Sequence, residues 1–585
     1  MKVVIVGGVA GGASAAARIR RLDEKAEIIV FERTSFVSYA NCGLPYFIGG
    51  TITDQETLTL QTPDSFWNRF HVNIQVRHEV TAINTEKKTV TVHVLDTGKT
   101  YEENYDKLIL SPGAKPTLPH MPGADIPNVF TLRTVEDTLK IHKFIQNEKP
   151  QSAVVIGGGF IGIEMAENLA RRGLKVTLIE YADHLLASFD FDMACAVHAQ
   201  MENHGINLML KTAVTAFEKD GNKIITKTAN GCSISADMAL LSIGVTPDTK
   251  LAKNAGLELG IKESIIVNDH METSVPDIYA VGDAVEVKHF ITENKALISL
   301  AGPANKQGRI AADNICGGNS IYKGAQGSSI IKLFDMTAAS TGVNETMAKN
   351  AGMNYERVVL SPASHAGYYP GGKIMTMKVL FDKETLRILG AQIVGYDGVD
   401  KRIDVLATAI RAGIKATELA ELDLAYAPPY SSAKDPVNMA GFMIENIVQG
   451  KVKQFHHDEI DKLPRDGSVT LLDTRTPTEY SRGNAKGFIN IPVDDLRERL
   501  SEIPTEKPVY VMCQSGLRSY LSCRVLAQNG YDCYNFSGGY RFYEIVKEGK
   551  KQSETTLPCG INRQQKVIPR PNSLHCKKAP VKAIN

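Results

Sequence analysis

The chain has 585 residues, 43% of them hydrophobic and 22% charged, with a formal net charge of +1. That length is too great for a single core, so three to five units are expected. The near-zero charge gives no electrostatic argument for nucleic acid or an anionic membrane, and no apolar run is long enough to span a bilayer.

The first residues, Met1 to Gly8, read as a buried strand entering a glycine loop rather than as a signal peptide. The nine cysteines are scattered, and the loose series Cys513, Cys523 and Cys533 has a spacing that suits no zinc site. No metal is expected, and the reading is a cytoplasmic protein whose thiols stay reduced unless catalysis oxidises them.

Lys2 to Val6 is a β-branched strand. Gly7-Gly8-Val9-Ala10-Gly11-Gly12 follows, then an alanine-rich helix from Ala13 to Leu22 and a strand from Ala26 ending at Glu32. This is a βαβ unit with a dinucleotide fingerprint, although Val9 stands at its middle glycine. A pyrophosphate would sit at the helix N-terminus and Glu32 would bind a ribose hydroxyl. Ser14, Arg18 and Arg21 share one helical face, which reads either as a grip for a phosphate-bearing substrate or as a solvated basic stripe. Cys42 lies between Asn41 and Gly43, with Pro45 beyond, at an irregular segment or helix start where a thiol ionises more easily; it reads as a redox thiol or as a buried structural cysteine, and a flavin nearby would favour the first. Without a nearby second cysteine it would cycle through a mixed disulfide, a persulfide or a sulfenic acid.

Leu108 to Leu110 is a further buried strand, ending in Ser111-Pro112-Gly113, and a proline-dotted crossover follows. Ala153 to Ile156 opens a second βαβ unit with a complete fingerprint, Gly157-Gly158-Gly159-Phe160-Ile161-Gly162. Its second strand ends at Glu180. A carboxylate there suits the free hydroxyl of NADH and repels the phosphate of NADPH, with nearby His184 leaving NADPH open. Asp277 to Gly282 is a strand delivering Asp283 to a site where it would hold a flavin's ribityl chain.

Together these segments resemble the FAD- and NAD-dependent disulfide reductase superfamily. Within it, the stretches from Val6 to Ser14 and from Asn41 to Tyr46 are similar to the coenzyme A disulfide reductases, where a valine in the first fingerprint is usual. The resemblance implies an α/β chain with two Rossmann-like domains, the NAD domain inserted in the FAD domain. Its divisions are a first FAD-domain segment at 1–110, a crossover at 111–150, the NAD domain at 151–245 and a returning FAD-domain segment at 246–325. It implies FAD contacts from Gly7 to Gly12 and at Glu32, Arg33, Ser111, Pro112, Gly113, Gly282, Asp283, Pro303 and Ala304. NADH contacts are implied from Gly157 to Gly162 and at Glu180. Cys42 is then the redox cysteine, and Ser14, Arg18, Arg21, Ser38 and Asn41 lie on the coenzyme A path.

Residues 326–450 alternate strands and helices and resemble the superfamily's α+β dimerisation domain, so a homodimer is expected. In this family, tyrosines from stretches like 365–370 and 424–430 reach the partner's cysteine. Tyr368, with Tyr369 beside it, and Tyr426 are the matches; otherwise a tyrosine in such a turn is packing. Lys434 reads either as a contact to a coenzyme A phosphate or, as is more usual, as an exposed lysine.

Residues 451–457 read as a polar linker, and a new αβ alternation fills 458–548. The strand Pro508 to Met512 ends on Cys513, whose loop Cys513-Gln514-Ser515-Gly516-Leu517-Arg518 leads into a helix. Such a loop presents several backbone N–H groups to one anion, and Arg518 adds charge. This unit resembles a rhodanese domain with the six-residue loop of a sulfurtransferase, departing at Gly483-Asn484, where Gly-His is frequent. The tail, 549–585, with Cys559 and Cys576, is too short and polar for a core, and disorder is expected.

The function expected is NADH-dependent reduction of coenzyme A persulfide, polysulfide or coenzyme A disulfide, with sulfane sulfur delivered by Cys513. An NADH oxidase or peroxidase cycling through a sulfenic acid is the alternative. A sulfur-transferring or redox-sensing module in which the flavin part is regulatory is a third reading.

Overall fold

The computed structural model describes residues 1–554, so Cys559, Cys576 and the tail beyond Glu554 lie outside the described residues. Among the described residues, no helix is long and apolar enough to cross a membrane.

The β-branched run Lys2–Val6 is the middle strand of a five-stranded parallel sheet, flanked by Glu27–Glu32 and Lys107–Leu110. Both faces of a parallel sheet are covered, which is why these strands read as continuous apolar runs. Helix α1 (Ala10–Leu22) follows the first glycine loop. Its alanines allow a close approach to the sheet. Helix α2 (Leu44–Gly49), entered by a short 3-10 turn at Asn41–Gly43, carries the cysteine stretch toward the second unit.

The second unit begins earlier than its fingerprint. Strand Val129–Thr131, inside the stretch read as a crossover, is the edge of the second five-stranded parallel sheet. Helix α3 (Val135–Glu148) follows, started by a capping box between Thr134 and Asp137. Strand Ser152–Ile156 is central in this sheet, and α4 (Phe160–Arg171) and α5 (Phe191–Asn203) cover it. The chain then returns to the first sheet with strand Ile278–Ala280, beside Lys107–Leu110, and packs α6 (Ala301–Ile315) on α1. Gly308 allows that contact: a Cβ there would lie 2.4 Å from the Gly11 carbonyl.

A five-stranded antiparallel sheet follows, with strand Tyr355–Leu360 at one edge and helices α7 (Val399–Ala412) and α8 (Pro436–Val448). The last sheet is parallel and five-stranded, with Val509–Met512 central and helices α9 (Leu517–Gln528) and α10 (Gly539–Glu554). The stretch read as a linker contributes its edge strand, Lys453–Phe455, because Phe455 is buried against Tyr510 and Phe536. Helix α10 runs to Glu554, past the expected boundary at 548.

The last domain is docked, not tethered. Phe542 and Val546 of α10 join one apolar core with Leu333, Met336 and Val359 of the antiparallel unit and Met193 and Val197 of α5. A buried charge network lies beside it. The Lys378 ammonium is fully buried, 2.9 Å from Asp190, 2.8 Å from Asp192 and 2.5 Å from Glu345. Arg357 bridges Glu345 to Asp458, and the His457 ring lies 3.1 Å from Asp192.

Candidate active site

The first glycine loop is built for a close approach. Gly7 has φ +97°, and a Cβ there would lie 2.1 Å from the Ser111 carbonyl. At Gly12 a Cβ would lie 1.9 Å from the Gly7 carbonyl. Helix α1 has no side-chain cap at Val9 and no acid in its first turn, so its N–H groups are left for a ligand. The buried Glu32 carboxylate accepts the Gly8 N–H at 2.9 Å and the Thr34 N–H at 2.9 Å, fixing the loop from below.

Ser111, Gly282 and Ala304 converge: a Cβ on Gly282 would lie 3.7 Å from the Ser111 hydroxyl and 3.9 Å from the Ala304 methyl. Pro112 and Gly113 continue the same turn, with Gly113 facing the Arg133 guanidinium. Pro303 lies in the first turn of α6. Arg133 donates to Asp283 at 2.7 Å, and Arg33 pairs with Asp248 at 2.9 Å. Arg133 was not among the residues expected at this site; an arginine in a crossover carries no motif.

The second loop repeats the design. A Cβ on Gly162 would lie 1.9 Å from the Gly157 carbonyl, whereas Gly159, the N-cap of α4, has nothing within 4 Å of its Cβ position. Glu180 accepts from the Gly158 and Ala182 N–H groups. Phe160 and Ile161 form the first turn of α4 and are half-buried.

Cys42 is exposed on the short turn before α2. The protein packed around it, and then the Glu164 carboxyl of α4, raise its thiol pKa, while Arg133 opposes them. The helix-start position therefore does not by itself favour the thiolate. Glu164, half-buried, meets the Tyr46 hydroxyl of α2 at 3.3 Å. Burial pushes the Glu164 carboxyl up to about 7, against the Tyr46 hydrogen bond. Sequence reasoning missed Glu164; its only signal was an acid two residues after the second fingerprint.

The α1 face is engaged by α6. Ser14 donates to Asn305 at 3.0 Å and Arg18 pairs with Asp313 at 2.6 Å, while Arg21 is exposed. Ser38 has φ +45° and donates its N–H to the Gly8 carbonyl, while the Asn41 N–H donates to the Tyr39 carbonyl. On the antiparallel unit, Tyr368 and Tyr426, 58 residues apart, meet hydroxyl to hydroxyl at 2.6 Å. Both are exposed. Tyr369 instead sets its ring edge-on to His365. Lys434 is exposed.

Cys513 is fully buried at the base of its loop, and its sulfur accepts the Gly516 N–H at 3.1 Å and the Ser519 hydroxyl at 3.3 Å. Arg518 makes two 2.7 Å hydrogen bonds to Glu479. Arg475 pairs with buried Asp473, reaches the Gln514 side chain at 3.3 Å and stacks on Tyr540. Tyr540 in turn donates its N–H to the Cys513 carbonyl at 2.7 Å. The departure at Asn484 leaves this loop intact: its amide donates to the Tyr480 carbonyl at 3.4 Å.

Residues 1–308 match the family described as pyridine nucleotide-disulphide oxidoreductase, 328–436 match its dimerisation domain, and 456–544 match the rhodanese-like domain. A coenzyme A disulfide reductase of Staphylococcus aureus (strain JH9) is 40% identical over 442 residues, 75% of this chain and 99% of that protein. The crystal structure of reduced CoADR-RHD from Bacillus anthracis is 49% identical, with a TM-score of 0.91 over 94% of this chain and 98% of that one. A NAD-dependent persulfide reductase from A. fulgidus is 38% identical, with a TM-score of 0.87 over 93% of this chain and 100% of that one. The two glycine cradles, the returning first sheet and the loop around Cys513 thus have their counterparts in known proteins, and the chain belongs to the pyridine nucleotide-disulphide oxidoreductase family, with a rhodanese-like domain at its C-terminal side.

Proposed function

We propose that the protein is an NADH-dependent flavoprotein reductase of coenzyme A persulfide, polysulfide and coenzyme A disulfide, supplied with sulfane sulfur by its own sulfurtransferase domain. One observation carries this reading. Among the described residues Cys42 is the exposed thiol, within electrostatic reach of Asp283 and Glu164, in the same chain as a buried thiol, Cys513, whose sulfur accepts a loop N–H. Plain disulfide reduction needs no sulfur carrier, so the fusion favours a persulfide.

The cradles suit dinucleotides: a Cβ at Gly7, Gly12, Gly157 or Gly162 would strike backbone within 2.3 Å, and Gly159 leaves the start of α4 open. The first loop, with Glu32, Arg33, Ser111 to Gly113, Gly282, Asp283, Pro303 and Ala304, would hold FAD. The second loop, with Glu180, would hold NADH. When bound, these groups supply two electrons as a hydride.

Cys42 attacks the substrate sulfur as a thiolate; sulfide or a thiol leaves, and Cys42 keeps the other half until it is reduced. Ser14, Arg18, Arg21, Ser38, Asn41 and Lys434 bind the coenzyme A arm. Arg18 does so while sharing its charge with Asp313. In a homodimer the paired hydroxyls of Tyr368 and Tyr426 reach the other protomer's redox thiol, where a phenol stabilises a leaving thiolate. Both reactive thiols need a reducing compartment, which the cytoplasm provides.

Stopped-flow flavin reoxidation tests the reading. Coenzyme A persulfide is expected to reoxidise the reduced enzyme faster than peroxide or oxygen does; the reverse order would make the protein an oxidase or peroxidase. Cys42→Ser should abolish NADH-dependent persulfide reduction. Cys513→Ala should impair only the use of sulfur donors such as polysulfide.

A further inference from the structure

Tyr368 and Tyr426 pair hydroxyl to hydroxyl although 58 residues separate them. Tyr368 is 76% exposed and Tyr426 46%, so packing around the rings does little to hold them together. Two exposed side chains lose rotamer freedom on pairing, and that cost falls where the backbone already brings them close. The backbone on both sides is irregular. Tyr368 stands between the strands Tyr355–Leu360 and Thr376–Asp382, and Tyr426 between the turn Ala416–Glu421 and α8. A backbone hydrogen bond joins the two segments, from the Ala366 N–H to the Ser431 carbonyl at 3.0 Å.

A second link runs through Arg402 of α7, which is buried. Its Nη2 lies 3.0 Å from the Ser364 carbonyl of the first segment. The same nitrogen lies 3.0 Å from the Ser431 hydroxyl and 3.0 Å from the Asp435 carboxylate of the second. Nη1 donates to the Gly398 carbonyl at 3.1 Å, which fixes the group against the start of its own helix. Ser431 donates to Asp435 at 2.7 Å, and Asp435 caps α8 by accepting the Val437 N–H at 3.0 Å. Neighbouring Lys401 donates to the Ala425 carbonyl at 3.2 Å, one residue before Tyr426. A planar guanidinium with five N–H groups serves acceptors on three stretches of chain at once, and a lysine ammonium cannot reproduce that fork.

We propose that Arg402 is a positioning residue for sulfur reduction: it locks the segment of Tyr368 to the segment of Tyr426, so that the two hydroxyls meet as a pair before substrate arrives. The inference rests on the proposed reductase, in which these hydroxyls stabilise a leaving thiolate. In the pair, one phenol donates its O–H to the other's oxygen, and the second phenol keeps its own O–H for the sulfur. A hydroxyl that already accepts a hydrogen bond is the better donor, because the two bonds polarise each other. Neither tyrosine alone has that advantage. When the S–S bond of the substrate breaks and its electron pair moves to the departing sulfur, this O–H hydrogen-bonds to the new thiolate. Arg402 takes no part in that exchange: no bond to it forms or breaks, and no proton leaves it. Its contribution is that the pair need not be assembled during the reaction.

The test is a double-mutant cycle on the full-length holoenzyme with coenzyme A persulfide, flavin loading being checked by absorbance. Arg402→Lys keeps a charge opposite Asp435 and loses the fork. It is expected to lower kcat about tenfold with the NADH KM unchanged. Ser431→Ala, which spares the ion pair, should lower kcat about threefold. In Tyr368→Phe/Tyr426→Phe, which has no pair to position, adding either change should alter kcat by less than about twofold. Losses that multiply in full would overturn the proposal, since a general structural defect lowers kcat in both backgrounds. A second readout does not depend on turnover: photo-oxidative dityrosine formation requires adjacent rings. The cross-link between Tyr368 and Tyr426, mapped by mass spectrometry, should fall at least about fivefold in Arg402→Lys, and an unchanged yield would also overturn the proposal. If Tyr368→Phe/Tyr426→Phe kept the original kcat, the catalytic reading of the hydroxyls would fail, and the cross-link would still decide whether Arg402 holds them together.

Discussion

The two thiols proposed to react, Cys42 and Cys513, sit in opposite settings. Cys513 is buried and receives two hydrogen bonds, whereas Cys42 is exposed and faces a carboxyl. Near Cys513, Arg518 and then its neighbours at Thr476 hold the Glu479 carboxyl down at about 2, against partial burial. A depressed carboxyl stabilises the fold above its unfolded value of 4.5 and loses that contribution as pH falls toward about 2. Near-ultraviolet circular dichroism should show the loop loosening over that window, and Glu479→Gln should already be loosened at pH 7. The pair is partly solvent-exposed, so the effect on overall stability should be small. Cysteines and glycines were legible because the loops that use them have short, fixed spacings. Glu164 was not, because its meaning comes from a tyrosine 118 residues away. Tyr368 and Tyr426 were legible as candidates only; their contact across 58 residues exists only in the fold.

Among the elements, the two βαβ units were plain in the sequence, since apolar strands, glycine loops and terminal acids coincide. Strand Val129–Thr131 was hidden because three residues among prolines show no period. Strand Lys453–Phe455 was hidden because only Phe455 of its three residues is buried. The two cradles should separate by mutation. Gly12→Ala places a Cβ 1.9 Å from the Gly7 carbonyl and should yield protein lacking flavin absorbance. Gly162→Ala makes the matching clash with Gly157 in the other cradle. It should retain the flavin spectrum but raise the KM for NADH by at least about tenfold, a loss of roughly 1.4 kcal/mol in binding. Loss of flavin from both variants would mean that the cradles are assigned wrongly.

At the scale of the molecule, the domains meet on charges as well as on apolar surface. Burial disfavours the Glu345 carboxylate, yet Lys378 and Arg357 outweigh it and hold the group at about 2. Asp192 is likewise held down by Lys378 and His457 against complete burial. This contribution is present above the usual carboxylate range and disappears as pH falls through it, so acid should loosen the junction of the domains. Lys378→Met leaves three acids around an apolar side chain and should cost about 3–5 kcal/mol, read by urea unfolding. Replacing the acids as well should restore some of that loss. No sequence pattern marks this cluster: Asp190, Asp192, Glu345 and Lys378 come from three separate stretches, and a lone lysine in an apolar strand is ordinarily read as solvated.

Strand Tyr355–Leu360 is the last strand of its antiparallel sheet, and its outward groups are taken by the rhodanese-like domain. Val359 donates its N–H to the Ser537 hydroxyl at 3.0 Å, and the Arg357 carbonyl accepts from Gln454 at 2.7 Å. A sheet edge left bare is a template for pairing with another chain. Covering this edge with the rhodanese-like domain should therefore also oppose aggregation. A chain ending at Gly450 should form oligomers through that edge, and light scattering would reveal them. A reductase of this shape that functions without the module would need another cover for the strand, such as a charged residue at 359 or a proline on the outward side.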